Sequence, residues 1–131
     1  LAKYKFVVKG KMPTLNEYLK AERVNKRVNG KFQTMGNVMK KDWQKRALLS
    51  IRIQLKGKRC NPPVNIHYHF FEENQKRDKG NVLGFAEKII EDALQDAGTL
   101  GNDNWQWINN ISCEFDIDAK NPRVEVTLTE V

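Results

Sequence analysis

Between Val82 and Leu94 the apolar residues recur with the period of a helix. Val82, Phe85, Ala86, Ile89, Ile90, Ala93 and Leu94 fall at i, i+3, i+4, i+7, i+8, i+11 and i+12, and they predict one buried stripe ending near Ala97. Glu87, Lys88, Glu91, Asp92 and Gln95 take the other face, and Gly98 follows where a left-handed C-cap is needed. A second stripe of Met39, Trp43, Ala47, Leu48, Ile51 and Leu55 predicts a long helix from Asn37 to about Leu55. Thr14 stands three residues before Glu17, which is the spacing of a capping box opening a short helix through about Val24. Elsewhere the period is two. Tyr4, Phe6 and Val8 alternate with lysines, Val64, Ile66, Tyr68 and Phe70 alternate with Asn65, His67, His69 and Phe71, and Val124, Val126 and Leu128 close the chain in the same way. Trp105 to Ile117 is apolar and β-prone, with Trp107, Ile111, Cys113, Phe115 and Ile117 on one parity. Asn25 to Thr34 reads as a polar, turn-rich basic loop. The order β-α-α-β-α-β-β predicts a single α/β (α+β) domain over residues 1–131, with a mixed, partly antiparallel sheet packed by helices.

Composition narrows the class. At 131 residues the chain has room for one real core. No run approaches the ~20 apolar residues of a membrane span, and no signal-peptide pattern is present, so a cytoplasmic protein with no membrane partner is expected. Cys60 and Cys113 are far apart with no CxxC pairing, which fits reduced thiols. The net charge of +7 hides a split. Residues 1–60 hold 17 Lys and Arg against Glu17, Glu22 and Asp42, whereas residues 61–131 hold six against 13 acids. The basic half implies a polyanionic partner. The acidic half would repel phosphate, unless some of its carboxylates hold a metal that meets it. Two ordinary solvated faces would give the same counts.

The candidate chemistry flanks the predicted helix at Val82–Ala97. Asp78 lies in a polar loop before it and Asp103 in one after it, and carboxylates gathered by loops are where hard divalent cations bind. The alternative is that Asp78 favours the helix N-terminus and Asp103 starts a turn. His67 and His69 share a strand face, but no third nitrogen or sulfur ligand is near in sequence, which argues against zinc.

Pro13-Thr14-Leu15-Asn16-Glu17-Tyr18, Arg77-Asp78-Lys79-Gly80-Asn81, Asp92-Ala93-Leu94, Asn102-Asp103 and Val124-Glu125-Val126 together resemble the RusA family of Holliday junction resolvases, small endonucleases borne mostly by phages and prophages. The resemblance covers nearly the whole chain. It implies a homodimer that binds four-way junction DNA and nicks two symmetric strands with Mg²⁺ during recombination and repair. Asp78 matches the family's first aspartate and Asp103 the aspartate after the helix, so these two would hold the metal. Lys88, four residues before Asp92, matches the catalytic lysine and would neutralise charge on the phosphoryl oxygens. It falls four residues late when counted from Asn81, and its other reading is an exposed i,i+4 partner of Asp92. Lys20, Arg23, Lys26, Arg27, Lys31, Lys40, Lys41, Lys76, Arg77 and Lys79 would grip the DNA backbone. Gly80 departs from the pattern, since it stands where the family has its second aspartate. Glu72, Glu73 and Glu91 are the nearby acids available to replace it. If none does, the implied protein binds junctions without cutting them. An RNA- or ribosome-associated basic protein is a third reading of the charge.

Overall fold

A computed structural model describes residues 1–131. Its main sheet is built from β1 (Lys3–Lys9), β4 (Val64–Glu72), β5 (Ile108–Ile117) and β6 (Arg123–Glu130), in the order β1-β6-β4-β5. β6 runs antiparallel to both β1 and β4, and β5 runs parallel to β4, so the sheet is mixed as expected. The parallel pair requires a crossover, and α3 (Lys79–Asp96) supplies it. α3 and α2 (Met35–Leu55) cover one face of the sheet, burying Phe6, Ile66, Tyr68, Val126 and Leu128 against Ile51, Phe85 and Ile90. The other face carries no helix, and the alternate residues of each strand meet solvent there.

Local signals fixed most element ends. Thr14 and Glu17 do form a capping box, with Thr14 Oγ1 accepting from the Glu17 amide at 3.1 Å. The helix it opens, α1 (Leu15–Ala21), stops three residues short of the expected end at Val24. Thr34 caps α2 through the Asn37 amide at 2.9 Å, and Lys56 closes it with φ 53°. Gly98 takes φ +75° just beyond α3, as the sequence required.

Two expectations are corrected. The segment Asn25–Thr34 is a hairpin of β2 (Asn25–Val28) and β3 (Lys31–Thr34), not a loop. Asn29 and Gly30 both have positive φ (51° and 79°), the backbone of a two-residue type I′ turn, for which Asn-Gly is the preferred pair. The expected strand from Trp105 begins only at Ile108, because Asn104 takes the Trp107 and Ile108 amides into a turn. Trp105 is 98% exposed and Trp107 packs partly against the core.

The two sheet edges differ. At β1 the Gln54 amide occupies the free edge, accepting from the Val7 N–H at 2.7 Å and donating to the Val7 carbonyl at 2.8 Å, as a neighbouring strand would. β5 has no such cover, and Ile111 (42%) and Ile117 (49%), which share the helix-side face, remain exposed.

Candidate active-site cleft on the central helix

The N-terminal end of α3 holds the most motif-like residues. Asp78 is the N-cap residue, extended at φ −67°, ψ 137°, but its exposed carboxylate makes no capping hydrogen bond. Lys76, Lys79 and Gly80 are exposed around it. Arg77 is engaged within the fold. It donates from Nε and Nη2 to the two Glu72 oxygens at 2.8 and 3.1 Å, and from Nη1 to the Met12 carbonyl at 2.8 Å. It therefore ties β4 to the segment before α1. The same pairing occupies Glu72, while Glu73 makes an exposed pair with Lys11 at the surface.

Further along α3 the acids converge. Gly84, Glu87, Lys88, Glu91 and Asp92 line a cleft of about 290 Å³ whose far wall is Asp103. Glu91 and Asp103 also border a second hollow of about 400 Å³, which continues past Asn104 and Trp105 to Asn109 and Asn110. Glu87 and Glu91 meet because residues four apart on a helix share a face. Asp103 reaches them because the chain turns back at Gly98 and returns beside the helix toward β5.

Glu91 is the unusual member. Its spacing places it on the polar face, yet only 9% of it is exposed, and its Oε2 accepts a 2.8 Å hydrogen bond from the fully buried Tyr68 hydroxyl. Burial pushes its carboxyl up to about 7. The Tyr68 hydrogen bond opposes that shift, and the Glu87 and Asp103 carboxylates add to it. Burial also raises the Tyr68 phenol well above its ordinary value, with the Glu91 charge second. Glu91 is buried, Glu87 is half-buried and Asp103 is exposed, so the three acids line one cleft without their oxygens closing on a single point. The donors are all hard oxygens, the set that Mg²⁺ or Ca²⁺ takes, but their ligand atoms do not all lie within 4.8 Å of one another, so an ion there would need side-chain movement to close the site.

Asp78 does not join this cleft. Nine residues of helix separate it from Glu87, a rise of about 13 Å, and Glu91 lies about 20 Å along the axis. Within one chain Asp78 and Asp103 are thus not brought together around one ion. The acids beside Asp103 are Glu87 and Glu91. The sequence names Glu91 only as one of three possible substitutes and gives Glu87 no role. Their i,i+4 spacing was visible in the sequence, but the inward turn of Glu91 depends on the tyrosine across the core.

Lys88 lines the cleft and is exposed beside Asp92, so both expected readings of it are compatible with its position. It also shares a small hollow with Lys40 of α2. The cationic surface of α2 therefore abuts the acidic cleft. Lys20, Arg23, Lys26, Arg27, Lys31 and Lys41 are exposed on α1, the turn after it, the β2-β3 hairpin and α2, and Arg27 lies over the exposed Phe32 ring at 5.1 Å. No helix is long and apolar enough to cross a membrane. No known family model matches the chain, and no curated protein matches it.

Proposed function

We propose that this chain is a divalent-metal-dependent endonuclease that nicks four-way junction DNA in symmetric pairs, as its resemblance to the RusA resolvases implies. The observation that supports the reading is the lining of one cleft by Glu87, Glu91 and Asp103, with a rim at Lys88 that joins the cationic surface of α2. Glu91, Asp103 and Glu87 would hold Mg²⁺ there. When bound, Mg²⁺ supplies a Lewis acid for a phosphoryl oxygen and makes water a better nucleophile. The chain's own groups do the rest. Lys88 meets charge developing on the phosphate, Tyr68 orients the Glu91 carboxylate, and the hairpin and α2 cations hold the flanking backbone without reading bases.

The reading calls for a partner copy, for which β5 offers an open edge. A ten-residue edge strand with an uncovered apolar face can pair antiparallel with itself across a two-fold axis, while the opposite edge is already closed by Gln54. Paired nicking of a symmetric junction needs such a dimer. In this arrangement the strand ends are exchanged, so the Asp78 end of one protomer faces the Asp103 end of its partner.

The test is cleavage of a synthetic four-way junction with and without Mg²⁺. Metal-dependent nicking that is lost in Asp103→Asn and Glu91→Gln, with junction binding retained, is the expected result. Tight junction binding with no nicking at any metal concentration would instead assign a binding protein that lacks the cutting step. For the dimer, Ile111→Lys with Ile117→Lys should shift sedimentation from dimer to monomer.

A further inference from the structure

We propose a second divalent-cation site, of zinc-type nitrogen and oxygen chemistry, on the open face of the sheet and formed by His67, His69, Glu114 and Asp116. It is independent of the nuclease reading, because α3 lies on the other face. The parallel register of β4 and β5 sets His69 opposite Glu114 and leaves His67 and Asp116 on the two diagonals. His67 Nε2 stands 2.8 Å from Glu114 Oε1, His69 Nδ1 3.4 Å from the same oxygen, and His69 Nε2 2.6 Å from Asp116 Oδ2. One ligand atom from each of His69, Glu114 and Asp116 falls within 4.8 Å of the others.

Those separations suit a metal. Ligands about 2.0–2.1 Å from a tetrahedral ion stand about 3.3 Å from one another. The His69, Glu114 and Asp116 atoms, within 4.8 Å of one another, would therefore close on an ion by shifts of about 1 to 1.5 Å, with His67 Nε2, 2.8 Å from Glu114 Oε1, as the fourth ligand. Two carboxylates balance the charge of a divalent ion, and two imidazoles favour zinc-class metals over Mg²⁺ or Ca²⁺. The rings are also held from behind. Ser112 Oγ lies 2.6 Å from His67 Nδ1, which leaves Nε2 for the site, and the His69 ring stacks on Phe71 with centroids 4.1 Å apart. Such outer contacts fix ring orientation in metal sites. Phe71 is itself covered by the Arg123 guanidinium at 3.8 Å. The competing account is a set of exposed cross-strand pairs, each contributing little. It explains the contacts, but it does not require two imidazoles to be converged on two carboxylates with both rings braced. The sequence argued against zinc because no third ligand was near along the chain. The third and fourth ligands come from a strand more than forty residues later, through a parallel pairing that no local pattern announces.

The experiment is titration of the purified, untagged chain with ZnSO₄ by calorimetry, alongside Co²⁺ absorption as a readout of coordination. One Zn²⁺ per chain with micromolar or tighter affinity is expected, together with a zinc-dependent rise in Tm. His69→Ala and Glu114→Gln should each weaken binding at least tenfold and abolish the Tm rise. Asp103→Asn should leave both unchanged, which separates this site from the α3 cleft. Circular dichroism checks folding, and if either variant unfolds, Asp116→Asn and His67→Gln replace it. No stoichiometric zinc binding by the parent chain, or unchanged affinity in the folded variants, would overturn the proposal.

Discussion

The two ends of α3 teach opposite lessons about how a site is built. The N-terminal end, Asp78 to Asn81, gathers the residues that look most like a motif, yet Asp78 stands exposed there with its nearby acids already paired to Arg77 and Lys11. The C-terminal half lacks a compact motif, but Glu87, Glu91 and Asp103 line one cleft there, and Glu91 is pushed up to about 7 mainly by burial. Adjacency in sequence spreads side chains around and along a helix at about 1.5 Å per residue, whereas i,i+4 spacing plus a returning loop concentrates them. The proposed cation site therefore rests on a buried carboxyl beside other acids, not on motif density.

The largest expected effect breaks this symmetry directly. Asp103→Asn and Glu91→Gln should each lower Mg²⁺-dependent junction nicking by about 10²-fold or more, the scale on which lost electrostatic stabilisation is felt. Asp78→Asn should cost less than about tenfold if its carboxylate only flanks the helix. A loss as deep as that of Asp103→Asn would place Asp78 at the cleft of a partner protomer, and mixing the two variants would then restore part of the activity by pairing one intact end from each chain.

Binding should follow a different set of residues. Replacing Lys26, Arg27 and Lys31 together by alanine removes hairpin cations that do not line the acidic cleft. Junction affinity should fall, and the slope of log K against log salt should flatten by about 2 to 3 if each cation meets one phosphate. Rates at saturating junction should change little. An unchanged salt slope in filter-binding or anisotropy titrations would take the hairpin out of the DNA interface.

A pH series sharpens the comparison further. A carboxyl with a folded pKa near 7 and an unfolded value near its ordinary 4.5 binds its proton more tightly in the folded state. Its contribution to stability is therefore fully present below about pH 4.5 and is lost as pH rises through about 7. Across that window the parent should lose roughly 2 to 3 kcal/mol relative to Glu91→Gln, measured by urea unfolding without metal. Mg²⁺ should offset the loss by binding the deprotonated form, and nicking should rise over the same interval. A parallel pH dependence in parent and Glu91→Gln would show that Glu91 is not the titrating group.

How much of this was legible varies with the physics involved. Period and capping are local, so β1, β4, β6, the capping box at Thr14, the α3 stripe and the Gly98 cap could be read directly from the sequence. The β2-β3 hairpin was legible in principle from Asn29-Gly30, but its strands are too polar and short to stand out from a basic loop. The open inner face of β5 could not be anticipated, because Ile111, Cys113 and Ile117 carry the same alternation as a buried strand, and their exposure follows from the strand's position at the sheet edge. Both candidate cation sites depend on long-range juxtapositions, Tyr68 beneath Glu91 and β5 beside β4. The sequence could name Asp103, Lys88, His67 and His69 as chemistry-bearing residues. It could not say which of them shared a neighbourhood.

The smallest expected effect lies at Gly80, where the comparison is easiest to misread. A Cβ built there meets nothing within 4 Å, and the first turn of α3 carries no acidic residue. Gly80→Asp should therefore stabilise the fold. It replaces the residue with the greatest backbone freedom and puts a carboxylate near the positive end of the helix dipole, for a gain of about 1 kcal/mol, or a few degrees in Tm. Seven residues, about 10 Å of rise, still separate it from Glu87, so the new carboxylate cannot join the cleft of its own chain. Nicking should stay within about threefold of the parent while Tm rises. A large gain in activity would mean that the N-terminal end of α3 is catalytic after all, through the partner's cleft, and would restore to Asp78 the role that its sequence surroundings imply.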